Sequence, residues 1–306
     1  MIDPDDCNVA ELTTDDFPPD QRDSGEFFIY WVRLCAIVGN VGKHFLRKTD
    51  STPFPIHLAS QLKQWLSSLP PRLQLPIHGP RTTNFNADIH YMHLIYLTAV
   101  TLLYLSGSSS SLPRAYATGV LASCCVARIF EDYTARGSMR FMHGISGWSI
   151  AIATLALMHA RKVARLAPAA NAHIAVLRVA LRELSKLWHS AGMFERGIER
   201  LDTDATASLL SSMRNDSPEE VAAAAAAGYA APTAFSELEG GDEHGDGIEW
   251  QGFFPFLTAE TSPLAAILLD PAPAMQLTDL DWPADFGMQL HGFFGPGDLN
   301  FSMFTD

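Results

Sequence analysis

Four histidines are the residues whose type and spacing come closest to chemistry. His90 and His93 stand three apart in an apolar run. A helix there places both imidazoles on one face, which can hold zinc once a third ligand arrives. The neighbouring Asp88 lies off that face. His143 and His159 sit within or beside a second apolar run, "FMHGISGWSIAIATLALMHA". Together with the many aromatics, His90, His93, His143 and His159 are candidates to line a pocket for a small apolar molecule. The plainer reading of each is a histidine satisfied by hydrogen bonds inside a helical core, so no metal or cofactor is expected.

Other arrangements that support catalysis do not survive inspection. "GISGWS" is not GxSxG and has no strand before it. "GNVGKHF" has the wrong spacing for a phosphate loop and lies inside an apolar helical pattern. Glu131 and Asp132 are adjacent, and adjacent helical residues do not face each other, so the pair reads as a solvated face. "DDCNVAELTTDD" lacks calcium-loop spacing. Cys7, Cys35, Cys124 and Cys125 form neither a CxxC pair nor a regular framework, and Cys124 and Cys125 read as small buried residues. No catalytic residue is expected.

Helices are the elements available to position these side chains. Phe27, Tyr30, Trp31, Leu34, Val38, Val41 and Phe45 recur at spacings of three and four, with Asp23 or Ser24 as a start signal. A second helix runs from about Pro55 to Leu69, with Leu58, Leu62, Trp65, Leu66 and Leu69 on one face, and Pro70 and Pro71 end it. Trp65, Pro70 and Pro71 are therefore expected to be structural. The long apolar run after Asn84 ends before Gly107. A further helix opens near Pro113 and stops at Gly137. An uncharged helix reaches about Leu166, and the last runs from Pro168 to about Gly192. No period-two alternation suggests a strand. Twenty uncharged residues separate Arg140 from Arg161, but their histidines, hydroxyls and glycines favour a helix buried inside a protein over a membrane span.

Charge divides the chain. Residues 1–26 carry nine acids and one base, 27–201 seven acids and 19 bases, and 202–306 eighteen acids and one base. The middle is thus near +12 while the flanks are −8 and −17, an acidic-tail pattern. The segment 202–306 also holds twelve aromatics, the composition of a disordered segment that offers rings to partners. The expected fold is all-α: a multi-helix bundle with acidic, largely disordered flanks. Residues 1–24 form an acidic extended segment, 25–200 the helical domain and 201–306 an acidic-aromatic tail. Trp250, Phe253, Phe254, Phe256, Trp282, Phe286, Phe293 and Phe294 are the candidate partner-binding residues. A net charge of −13 argues against nonspecific nucleic-acid binding by the whole chain.

Four stretches together resemble the fungal-specific transcription factor domain, the middle homology region of fungal zinc-binuclear-cluster regulators. "DPDDCNVAELTTDDF" resembles its acidic segment, with Leu12, Thr13, Asp16 and Phe17 at the end. "LKQWLSSLPPRL" is similar to its tryptophan helix, "IHYMHLIYLTAVTLLYLS" to the long helix that follows, and "SCCVARIFEDY" to the next. The likeness covers roughly 1–200. It departs where the long helix ends "LLYLSGSS", and the six-cysteine DNA-binding cluster is not in this sequence. The resemblance implies a nuclear regulatory domain without direct DNA binding, whose tail recruits transcriptional coactivators or a related regulator and which can form a homo- or heterodimer. No membrane association is expected. The rival readings are a helical domain recruited as an enzyme or small-molecule binder, and a partner that dimerises with full-length regulators.

Overall fold

A computed structural model describes residues 11–47, 53–77, 79, 82–106, 114–215, 250–258 and 261–269. The protein is all-α. Seven long helices carry the body: α1 Arg22–Arg47, α2 Ile56–Ser68, α3 Ala87–Tyr104, α4 Ala117–Ala135, α5 Ser146–Ala160, α6 Ala167–Ser185 and α7 His189–Asn215. A short α8, Pro263–Leu269, belongs to a separate stretch near the C-terminus.

The hydrophobic pattern determines which helices lie inside. α5 is buried from Ser146 to Ala160 apart from Trp148 and His159, because every face is small or apolar. Its Thr154 hydroxyl donates to the Ile150 carbonyl one turn back, so the buried oxygen is satisfied within the helix. α3 uses the same device at Thr98 and Thr101. α4 packs against α3, α5 and α6, and α1 and α2 close the side formed by α3. Among the described residues, no helix is long and apolar enough to cross a membrane.

Helix ends follow local chemistry. Asn86, two residues beyond Asn84, caps α3 by accepting from the Ile89 amide. At the end of α4, Gly137 has φ +62°, a left-handed conformation that glycine adopts without a Cβ clash. Its amide donates to the Thr134 carbonyl and that of Ser138 to the Tyr133 carbonyl, the paired bonds of a Schellman ending. α2 stops at Ser68. Pro70 is extended, and Pro71 opens a single 3-10 turn through Leu73.

Trp65 has the structural role expected of it. It is 4% exposed, stacks on Tyr96 at 5.3 Å between ring centres, and donates its indole N–H to the Tyr30 carbonyl at 3.0 Å. The Tyr30 hydroxyl returns a bond to the Ser68 carbonyl, so α1 and α2 are tied twice. Thr13 and Asp16 form a reciprocal capping box, and Phe17 lies flat over Gly25 of α1. A Cβ on Gly25 would fall 2.4 Å from the Phe17 ring, so the two residues require each other.

Three expectations are corrected. Leu105–Ser106 and Arg114–Ala115 pair as a two-residue antiparallel bridge, so α4 begins at Ala117 and not near Pro113. The last predicted helix breaks between Ser185 and His189, where Trp188 donates its indole N–H to the Met142 carbonyl and turns the chain. α7 then runs across residue 201 and buries Ala191, Phe194, Ile198 and Leu201. A boundary at 200 therefore falls inside a packed helix.

Candidate functional site

Residues 252–258 and 261–268 dock on the body, and this organises the most distinctive region of the molecule. Phe253 and Phe254 are buried, against the expectation that both rings are offered to partners. Phe253 meets Tyr104 edge-on at 5.7 Å, Lys63 lies 5.1 Å above its ring, and its carbonyl accepts from the Tyr96 hydroxyl at 3.3 Å. Phe256 is half-buried, edge-on to His93 at 6.3 Å. The physical reason is apolar complementarity: "GFFPFL" and "SPLAAILL" are nearly uncharged islands in an acidic region, and α2, α3, α4 and α6 supply the surface they cover. Ser262 caps α8 by accepting from the Ala265 amide, with Pro263 in the first turn, a sequence signal that the acidic average of the region conceals. Trp250 begins a 3-10 turn of this stretch. Trp282, Phe286, Phe293 and Phe294 lie outside the described residues.

Between this stretch and the body lies a cavity of about 230 Å³. α4 contributes Cys124, Cys125 and Arg128, α6 contributes His173 and Val176, and Phe256, Leu257, Thr261, Ser262 and Pro263 close the other side. Burial pushes the Cys124 and Cys125 thiols far up, so neither is a thiolate nucleophile. Cys124 and Ser262 both line the cavity, where α4 meets the docked stretch. Burial lowers the pKa of His173 and favours the neutral imidazole.

The four histidines proposed for a pocket do not line this cavity, and the structure does not bring them together. His90 and His93 are fully buried in α3, His143 is exposed against Tyr91, and His159 is half-buried in α5. His93 Nε2 lies 2.9 Å from the Leu73 carbonyl, which the turn after Pro70 and Pro71 presents to it. Desolvation lowers its pKa to about 4, outweighing the Leu73 bond, so the ring is neutral and its Nε2–H donates. His90 Nδ1 bonds the Asn86 carbonyl at 2.7 Å. Among the described residues no group of three or more His, Cys, Asp or Glu is arranged to hold a metal ion.

Glu131 and Asp132 separate as adjacent helical residues do, yet only Glu131 is solvated. Asp132 is 5% exposed and is the centre of a polar cluster. It accepts from the Thr82 hydroxyl at 2.6 Å and the Arg136 guanidinium at 3.0 Å, with Arg128 at 3.7 Å and His90 Nε2 at 3.8 Å. Burial alone would raise its pKa. His90, Thr82 and the two guanidinium charges overcome that and hold the carboxyl below its ordinary range. Arg136 also donates to the Thr82 carbonyl at 2.6 Å and lies over Phe85. The cluster fastens the loop before α3 onto α4.

Arg161 at the end of α5 and Arg178 within α6 have a similar duty. Arg161 and Arg178 both pair with Asp202, Arg161 at 2.7 Å, which pins α7 to α5 and α6. No family model matches the chain, and no curated protein or solved structure matches it.

Proposed function

We propose that this chain is the regulatory domain of a fungal transcription factor: a helical bundle that grips the entry to its own acidic-aromatic tail. The observation that carries the reading is the docking of Phe253 and Phe254 into the body beyond a long acidic stretch. A body that binds part of its tail controls how much of that tail is free for partners. Two of the stretches behind the family resemblance also support it, because they use their characteristic residues structurally: Thr13, Asp16 and Phe17 in a cap against α1, and Trp65 with Pro70 and Pro71 at the junction of α1, α2 and α3. In this reading the domain works in the nucleus and relies on another module for DNA binding. The aromatics at Trp282, Phe286, Phe293 and Phe294 are left to recruit coactivators through a segment that orders on binding.

A reporter assay tests it. Residues 202–306 fused to a heterologous DNA-binding domain should activate transcription. The full chain in the same fusion should activate less, and Phe253→Ala with Phe254→Ala should restore activity to it. A silent 202–306 fusion overturns the reading.

A helical small-molecule binder remains the second reading, favoured by the cavity between the docked stretch and α4 and α6.

A further inference from the structure

We propose that the cavity between α4, α6 and the docked stretch 252–268 binds an uncharged single-ring aromatic compound carrying a hydroxyl group, and that the bound compound fastens this stretch to the body. The inference stands on the cavity itself and holds whether or not the chain regulates transcription.

Size limits the ligand. A buried apolar cavity of about 150 Å³ accepts benzene. The volume here, about 230 Å³, has room for one ring with small substituents. Ile77, Val176, Phe256, Leu257 and Pro263 give it an apolar lining suited to a ring.

Charge limits it further. Arg128 is the cation on the wall, but Asp132 sits 3.7 Å from its Nε and its Nη2 reaches the Gly79 carbonyl and the Thr82 hydroxyl at 3.4 Å. Glu131, the other charged lining residue, is exposed and disfavours an anion. A cation would face Arg128. A neutral ligand avoids both penalties. The Thr261 hydroxyl is engaged by Thr258 and that of Ser262 caps α8, so the polar group left to orient it is His173. The ring of His173 makes no hydrogen bond among the described residues, and a neutral imidazole can both donate to and accept from a hydroxyl.

The wall is built from two parts of the chain, so occupancy is linked to docking. A compound that binds only the docked form multiplies its population over the undocked form by one plus the ratio of its concentration to Kd, about a hundredfold at a hundred times Kd.

The test is calorimetric titration of the full chain with 4-methylphenol, with benzoate as the charged comparison. The expected result is saturable 1:1 binding of 4-methylphenol, with benzoate at least about tenfold weaker. Val176→Trp, which fills the cavity from α6, should weaken binding by about tenfold or more while far-UV circular dichroism is retained. Ala172→Phe fills it from a more exposed position on the same helix and serves if the first variant does not fold. Absent binding of 4-methylphenol by the unaltered chain, equal binding of benzoate, or undiminished binding by a folded, filled variant overturns the proposal.

Discussion

Replacing Trp65 with alanine is expected to destabilise the body by about 3–5 kcal/mol, the usual cost of truncating a buried large aromatic. Three losses combine. The stacking on Tyr96 and the edge contact with His93 disappear, a cavity opens beside those two rings, and the Tyr30 carbonyl loses its indole donor. Natural domains are stable by about 5–15 kcal/mol, so a loss of this size removes a large share of the total. Trp65→Phe keeps a ring and gives up mainly the hydrogen bond, whose net worth is about 1 kcal/mol. Urea unfolding followed by circular dichroism checks both. A Trp65→Ala variant with an unchanged midpoint would show that α2 does not pack as described.

Asp132→Ala is expected to cost about 1–3 kcal/mol, because the buried Thr82 hydroxyl loses its acceptor and the partly buried Arg128 and the exposed Arg136 lose their counter-charge. Arg128 and Arg136 would keep their positive charge beside an apolar gap, and Thr82 would lose its acceptor. The pH dependence separates this account from simple loss of packing. The Asp132 carboxyl is held low in the folded state, so its contribution is present above the unfolded value of about 3.9 and is lost as pH falls through the folded value. The stability difference between Asp132→Ala and the unaltered protein should therefore be full at neutral pH and shrink in acid below about pH 4. A difference that stays constant down to acid pH would contradict the charge argument.

The sequence makes the body readable because its signals are local. The stripe from Phe27 to Phe45, the all-apolar α3 and the Gly137 stop each depend on residues within a few turns. α7 was readable too: Ala191, Phe194, Ile198 and Leu201 recur at helical spacing, but the continuous pattern through Leu187 and Trp188 hid the break that the Met142 carbonyl fixes. Asp132 could not be read locally. Its partner Thr82 is fifty residues away, and only the folded chain shows that α4 turns residue 132 inward and 131 outward.

The docked stretch was hidden for a different reason. Averaged over 202–306, the acids dominate and the region reads as a tail. The apolar islands around Phe253 and Leu264 are short, and the surface they cover is built from helices far earlier in the chain, as in the 157-residue separation between Tyr96 and Phe253. The cavity follows from this docking, since neither of its walls encloses a space alone. The histidines drew attention by spacing, yet His90 and His93 are buried in α3, where each bonds a backbone carbonyl, that of Asn86 and that of Leu73.

The measurement that bears most directly on this account is amide hydrogen exchange across Gly252–Leu268 in the full chain. Docking predicts protection at Ala265 and Ala266, whose amides are bonded to Ser262, and loss of that protection in Phe253→Asp while α3 to α5 stay protected. Exchange throughout this stretch at the rate of an unstructured peptide would contradict a body that holds its own C-terminal segment.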